Sequence, residues 1–562
     1  MSNKNKKPDA LAGYVEPSVA VLVASTLTIN LLSLALPLMT LQIYDRVLPN
    51  QSWDTLSVLA IGVAIALTLE AVLKVGRAYL MGWTGAAFEH RLSCDVTKHI
   101  LHADLMALEK AGTGAYLQHI AAIPRLKFCY NGEILTAVLE GVFVLVFLGL
   151  IAYIGGWIVL VPIMLLSAFA GLCLIYGQAF NQQLKERTER DNQRYNFLVQ
   201  TLGGIHTLKA FGLEQPFQRR YERMETQSSA ANLVAAQSSA SLFNASTVMA
   251  NIMVACILTC GALLVLHGTL STGALVACIL LSGRMMQPLQ RLLQLWVRYH
   301  DFRLVHDQIT SLLAVPAVRK VRTALPEHSA AGLVLDDVFF RYSTEGEWLL
   351  KGISLELEKG QSVALHGRDG SGKSTLLKLV AGVYAPEKGH IFVNGLPPHE
   401  ASSRNLARSV GLLSSEGVIF RGTIRNNLTC FGEIDEASAL AMAERLGVKA
   451  DVARLPAGYD THLEGTTSDS IAPGLKQRIV LARVLASKPE VILFDNADQA
   501  LDQQGYRLLL ELLAELKPQV AMLIVSDDIQ VTRLADRQLM MYRGRIIARQ
   551  QGQQQEAQEA QL

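Results

Sequence analysis

A chain of 562 residues exceeds one ordinary domain. Half of it is hydrophobic and its mean hydropathy is +0.27, which excludes a wholly soluble protein. The net charge of +2 is the small difference between 51 basic and 49 acidic residues, so it points neither to a nucleic-acid binder nor to an acidic partner. The 7 cysteines are scattered, without a C-x-x-C pair or a His/Cys cluster in the polar part, and read as free thiols.

In chain order, residues 1–16 form a polar cytoplasmic segment carrying Lys4, Lys6 and Lys7, and the apolar stretch after Pro17 runs well past a signal-peptide core. It reads as a retained first membrane helix. Residues 17–314 contain six segments long and apolar enough to cross a bilayer: about Val19 to Tyr44, Leu56 to Leu80, Ile134 to Ile154, Trp157 to Tyr176, Ala245 to His267 and Gly273 to Leu295. The connections Asp45 to Thr55, Gly155-Gly156 and Gly268 to Thr272 are short. Met81 to Glu133 and Gly177 to Asn244 are long and carry the basic residues, among them Arg91, Lys98, Arg125, Lys127, Arg187, Arg190, Arg219 and Arg220. By the positive-inside rule the long loops and both termini are cytoplasmic. Arg187 to Leu202 and Phe217 to Thr226 lack helix breakers, so the helices are expected to continue out of the bilayer. Glu70, Lys74 and Glu140 lie inside the spans and either line a substrate path or, for Lys74, lie near a helix end or pair with Glu70 one helical turn away.

Residues 315–332, with Pro316 and Pro326, read as a linker. Short β runs follow, Leu333 to Arg341 and Leu349 to Leu357, opening an α/β domain over residues 333–548. The Gln-rich end, 549–562, reads as a tail. Within the α/β domain the strand Ser362 to Leu365 leads into Gly367-Arg368-Asp369-Gly370-Ser371-Gly372-Lys373-Ser374-Thr375 and then the helical run Thr375 to Val380. This is a phosphate-binding loop in the context its chemistry needs. Glycines let successive backbone N–H groups curl around phosphates, Lys373 places a charge at the β/γ oxygens, and the Ser374 hydroxyl can ligate Mg²⁺. The ligands expected are therefore ATP and Mg²⁺.

Six membrane segments with long cytoplasmic extensions followed by this domain resemble an ABC exporter half-transporter, over nearly the whole chain. The fold implied is a helical exporter-type membrane domain plus an α/β nucleotide-binding domain. Tyr342, in Phe340-Arg341-Tyr342, stands where the family has an aromatic residue against adenine. Val491 to Asp495 is similar to the Walker B strand, with Asp495 the Mg²⁺ residue. Ala500-Leu501-Asp502 is similar to the D-loop, and Arg478 to Arg483 to the helix after the signature motif. Leu34 to Leu38, Tyr44 to Asn50, Thr201 to Ile205 and Leu281 to Arg284 resemble bacterial type I secretion exporters of adhesins and RTX proteins. That resemblance implies a multi-pass inner-membrane protein acting with a second ABC half-transporter, a periplasmic adaptor, an outer-membrane channel and a secreted polypeptide, and no nucleic acid. The segment before Pro17 is too short for the peptidase-like domain that many of these exporters carry. Coupling elements are expected at Leu108 to Leu117 and Gly204 to Gln215.

The catalytic positions depart from that pattern. Ile471-Ala472-Pro473-Gly474-Leu475 stands where the family has Leu-Ser-Gly-Gly-Gln; Ala472 lacks the hydroxyl and Pro473 the N–H that would reach the γ-phosphate. Asn496 replaces the carboxylate that polarises water, Asp527 the γ-phosphate histidine, and Ser415 the glutamine that reaches Mg²⁺. Asp498 is a nearby carboxylate that could stand in for the missing base. No intact catalytic set is expected. The sequence reads as the degenerate half of a heterodimeric exporter that binds MgATP; a slow homodimeric exporter and an ATP-binding membrane sensor or scaffold are the alternatives.

Overall fold

The computed structural model describes residues 19–111, 113–316, 331–343, 345–399, 401, 403–415, 417–465 and 471–548. The N-terminal segment, Gly112, Pro326 with most of the linker, and the Gln-rich tail lie outside them. The chain divides into two units. One takes residues up to His102 and Ala111–Val315; the other takes Ala103–Lys110 and the chain from Pro316 onward.

The first unit is helical throughout because lipid offers no partner for backbone polar groups. Among the described residues five helical runs are long and apolar enough to cross a bilayer: Val19–Asn50, Trp53–His102, His119–Tyr176, Glu214–Leu266 and Thr272–Trp296. The third contains two of the six predicted segments. Its helix Glu133–Gly155 ends at Gly156, where φ is +55°, and a helix over Leu160–Gly203 starts after one tight turn. Trp53–His102, at 50 residues, is ~75 Å long, more than twice the ~30 Å hydrocarbon core. This helix therefore continues beyond the bilayer, as expected. Phe143, Phe147, Ile151, Ile158, Met253, Ile257, Cys278, Leu281 and Met285 form the buried core of the spans. Small residues allow the close approach: a Cβ on Gly155 would lie 2.9 Å from Cys278 Sγ. Phe88, Leu92, Val96, Ile123, Leu126, Val305 and Ile309 form a second core in the extensions.

The first span ends later than predicted. Helical structure, with one wide turn at Ile43–Val47, runs to Asn50, and the reversal falls at Gln51, with φ +49°. Asp45, read from sequence as the start of a loop, instead accepts hydrogen bonds from Ser271 Oγ (2.6 Å) and the Gly273 N–H (2.9 Å). Its carboxylate thus satisfies orphan donors at the start of the helix Thr272–Leu313.

Among its described residues the second unit has eleven strands: β1 (Ala331–Phe340), β2 (Leu350–Glu358), β3 (Ser362–His366), β4 (Lys388–Val393), β5 (Val410–Ser414), β6 (Gly422–Thr423), β7 (His462–Leu463), β8 (Val491–Asp495), β9 (Ala521–Val525), β10 (Arg537–Tyr542) and β11 (Arg545–Ala548). They make an antiparallel sheet in the order β2-β1-β4, a small β6-β7 pair and a six-stranded sheet in the order β11-β10-β3-β9-β8-β5. The last is parallel except at the β10–β11 edge. Its central strands are apolar on both faces. Ile492, Phe494, Met522 and Ile524 pack into a core with Leu475, Ile479 and Leu485 of the helix Pro473–Ala486. The alternate residues Val491, Leu493, Leu523 and Val525 pack with Leu376, Leu377 and Val380 of the helix Lys373–Val380.

Ala103–Lys110 groups with this unit although the sequence places it in the membrane region. Met106 packs against the second of these cores, and Glu109 accepts a hydrogen bond from Tyr384 OH at 3.0 Å. Of the two expected coupling elements, the first is thus divided between the units at Lys110–Ala111, and the second is the short helix Ile205–Ala210 with its following turn.

Candidate functional site

The loops that follow β3, β9, β8 and β5 leave the carboxyl ends of adjacent strands, the edge where open α/β sheets bind ligands. That strand order gathers the phosphate loop, Asp527, Asp495 with Asn496, and Ser415, although up to 160 residues separate them.

The phosphate loop needs glycine at Gly367 and Gly372, whose φ values are +150° and +104°. A Cβ at Gly367 would also lie 2.6 Å from the Met541 carbonyl of neighbouring β10, and one at Gly372 would lie 2.8 Å from Leu350 Cδ2. Gly372 leads directly into the helix Lys373–Val380, so that helix's free N–H groups open onto the loop. Lys373 Nζ donates to the carbonyls of Gly367 (2.6 Å) and Arg368 (3.0 Å). Ser374 Oγ donates to Asp495 Oδ1 at 3.0 Å, which joins the two residues read as Mg²⁺ ligands. Ser371 Oγ is buried with no hydrogen-bond partner among the described residues. A loop whose backbone leaves no room for a Cβ at Gly367 and Gly372, a lysine folded over it, a hydroxyl–carboxylate pair and an orphaned hydroxyl form a donor and acceptor set suited to MgATP.

Tyr342 is held beside the loop. Its hydroxyl meets Thr375 Oγ1 at 2.8 Å, and its ring lies edge-on to Phe340 and Tyr384, with centroids at 5.2 and 5.8 Å. At 45% exposure the ring stays accessible to a flat ligand.

The altered positions are equally well placed. Asn496 has φ +50°, a left-handed conformation that asparagine tolerates better than most residues, and its N–H donates to the Val525 carbonyl at 2.9 Å. Its Oδ1 is buried and has no partner among the described residues. The Ser415 N–H donates to the Asp495 carbonyl at 3.1 Å, so the shortened side chain stands beside the acid. Asp527 is exposed at the end of β9.

Asp498 is turned toward β9, where Ser526 Oγ lies 3.2 Å from each of its carboxylate oxygens. Burial, with Asp528 and Asp527 adding repulsion, holds its carboxyl above the usual carboxylate range. A raised carboxyl pKa opposes folding once the group ionises. The penalty is absent below the unfolded value of about 3.9 and complete above the folded one. Asp498→Asn is therefore expected to raise the melting temperature relative to the parent as pH increases from 5 to 8, with ATP turnover unchanged. Loss of residual turnover, measured as phosphate release, would instead make Asp498 the base.

Sequence reasoning passed over Gln477 as a positioning residue. Ala472 stands at the N-cap of the helix Pro473–Ala486 with no side chain to cap it, and Pro473 occupies the first turn. Buried Gln477 ties this helix to the site by donating to the carbonyls of Ser414 (2.8 Å) and Ala497 (3.2 Å). Arg478, also buried, contacts Asp451 at 2.5 Å and Asp502 at 3.5 Å. Asp502, read as part of a D-loop, also caps the helix Gln503–Leu516 through Gly505 N–H at 2.9 Å.

In the membrane unit Lys74 pairs with Glu70 at 2.6 Å, the bland alternative of the sequence reading. Glu140 is buried and accepts from Arg77 (3.0 Å) and Arg291 (2.6 Å), two partners the sequence reading missed. Both arginines fall inside predicted spans, which was the available signal.

Residues 19–289 match the profile of the ABC transporter transmembrane region, and residues 350–499 match that of the ABC transporter domain. The chain is 28% identical to the cyclolysin secretion/processing ATP-binding protein CyaB of Bordetella pertussis, over 93% of this chain and 73% of that protein. It is 26% identical to the alpha-hemolysin translocation ATP-binding protein HlyB of Escherichia coli O157:H7, over 92% of this chain and 73% of that one. A bacterial Atm1-family ABC exporter solved with ATP bound has the same fold, with a TM-score of 0.81, 21% identity and 96% of each chain covered.

Proposed function

This chain belongs to the ABC transporters, with a transmembrane region and a nucleotide domain of that family, and from that premise we propose that it is the hydrolytically impaired half of a heterodimeric polypeptide exporter. Lys373, Ser374 and Asp495 hold MgATP, with Tyr342 against the adenine. The relatives named for secretion and translocation support a secreted polypeptide as substrate; an inner-membrane location, with a periplasmic adaptor and an outer-membrane channel as further partners, follows from the resemblance to type I secretion exporters.

One observation carries the impaired half of the reading: Asn496 follows Asp495 with its amide oxygen buried and without a partner among the described residues. An amide orients water but accepts no proton, and general-base help is worth roughly 10²- to 10⁴-fold. Ala472 and Pro473 remove a hydroxyl and an N–H from the surface offered to a partner's nucleotide. Binding without fast turnover still sets a conformational equilibrium when the two states differ in affinity. The purified chain is expected to bind ATP and hydrolyse it slowly, and to gain turnover when mixed with an intact ABC half encoded beside it. Fast hydrolysis by the chain alone would overturn the proposal, and slow hydrolysis that no second half accelerates would leave a slow homodimer in its place.

A further inference from the structure

Four helices of the membrane unit meet at Glu140. Arg77 Nη1 donates to Glu140 Oε1 at 3.0 Å and to Thr26 Oγ1 at 3.3 Å, while Arg291 Nη1 reaches both carboxylate oxygens. Thr26 and Glu140 are buried, and the Arg77 side chain is 10% exposed. One carboxylate between two guanidiniums leaves one positive charge uncompensated. The hydrogen bonds of both arginines pass through Nη1, so further guanidinium N–H groups remain to be used.

Those guanidiniums border a cavity of about 410 Å³ whose wall includes Lys74, Arg77, Arg291, Asn131 and Gln294. The acidic residue of the wall, Glu133, is paired with Arg298 at 3.6 Å, and Glu140 and Glu70 stand behind the cations they pair with. The depth is marked by Tyr79 and Trp83, exposed aromatics on the helix that carries Lys74 and Arg77, next to the basic extension of the same helix with Arg91 and Lys98. Exposed aromatic residues beside basic ones mark the cytoplasmic head-group level. Toward the bilayer centre the same helix exposes Ile65, Val72 and Val75, and the helix Glu133–Gly155 exposes Val138 and Val142.

We propose that this cavity binds the phosphate of an anionic phospholipid of the cytoplasmic leaflet, between Arg77, Arg291 and Lys74, with the acyl chains along the exposed apolar positions. The largely buried Arg77 with the half-exposed Arg291 and Lys74 explains the phosphate, and the adjoining apolar surface favours a lipid over free phosphate or an acidic polypeptide segment.

The test uses the full chain in detergent and native mass spectrometry with added phosphatidylglycerol or phosphatidylcholine. Phosphatidylglycerol is expected to be retained over phosphatidylcholine and to lose about fivefold in Arg291→Gln. Arg219→Gln, on the helix Glu214–Leu266 and outside the wall, is expected to retain it as the parent does. Equal retention of both lipids, or unchanged retention in Arg291→Gln, overturns the proposal. Displacement of the lipid by millimolar inorganic phosphate assigns the cavity to free phosphate, and displacement by polyglutamate assigns it to acidic polypeptide; either result overturns the lipid assignment. Should Arg291→Gln fail to fold, Gln294→Glu, which adds a carboxylate to the wall, is expected to lower retention similarly, and unchanged retention there overturns the proposal.

Discussion

Asn496→Glu is expected to raise the ATP turnover of the isolated chain by on the order of 10²-fold, measured as phosphate release at saturating MgATP. The new carboxylate follows Asp495 directly, at the sheet edge that also carries Lys373 and Ser374. The gain should fall short of the roughly 10⁴-fold upper range of base catalysis, because Ala472, Pro473 and Asp527 remain. Asp527→His in the same background removes a carboxylate from the end of β9 and is expected to add to the gain. There is a stability cost. Asn496 has φ +50°, and a residue less tolerant of that conformation pays about 1–2 kcal/mol. A lower melting temperature with higher turnover is therefore the expected pair of results. If turnover stays flat while the protein is folded and binds ATP, the missing base is not what limits the chain, and the altered signature at Ala472-Pro473 becomes the principal defect.

Lys373→Ala is expected to weaken ATP binding by roughly 10- to 150-fold, read by titration calorimetry or displacement of a fluorescent nucleotide. A hydrogen bond to a charged group contributes about 1.5–3 kcal/mol, which sets that range. In the present structure Nζ is held by the carbonyls of Gly367 and Arg368 at 2.6 and 3.0 Å. On the proposed reading it exchanges two neutral acceptors for phosphate oxygens when nucleotide binds. Because the side chain is not part of a hydrophobic core, the variant should fold, and near-parental melting without ligand is the control. Unchanged affinity would remove the phosphate loop from the proposed site and with it the assignment of MgATP.

Much of the fold was legible because the signals are local. A span of about 20 apolar residues has few alternatives to a membrane helix, and Gly367 to Thr375 between a strand and a helix has few alternatives to a phosphate loop. Where reading failed, the cause was a partner remote in sequence. Asp45 read as a loop residue because nothing nearby in sequence signals that it caps a helix start at Ser271–Gly273. Arg77 and Arg291 were passed over because their common partner, Glu140, is 63 and 151 residues away. Ala103–Lys110 read as membrane-domain loop because its attachment depends on the pocketing of Met106 and the reach of Glu109 to Tyr384.

The sequence by itself determined which ligand chemistry is present and which is missing. Residue identity alone decides that Lys373 carries a charge, that Ser374 has a hydroxyl, that Pro473 has no N–H and that Asn496 accepts no proton. Only the tertiary structure decided which of these act together. The order β3-β9-β8-β5 brings four loops to one sheet edge, sets Ser374 against Asp495, and leaves the Asn496 amide oxygen buried without a partner among the described residues. The physical reason is that strand order and side-chain burial are set by the packing of two apolar cores on the faces of the sheet, a global property that no local pattern specifies.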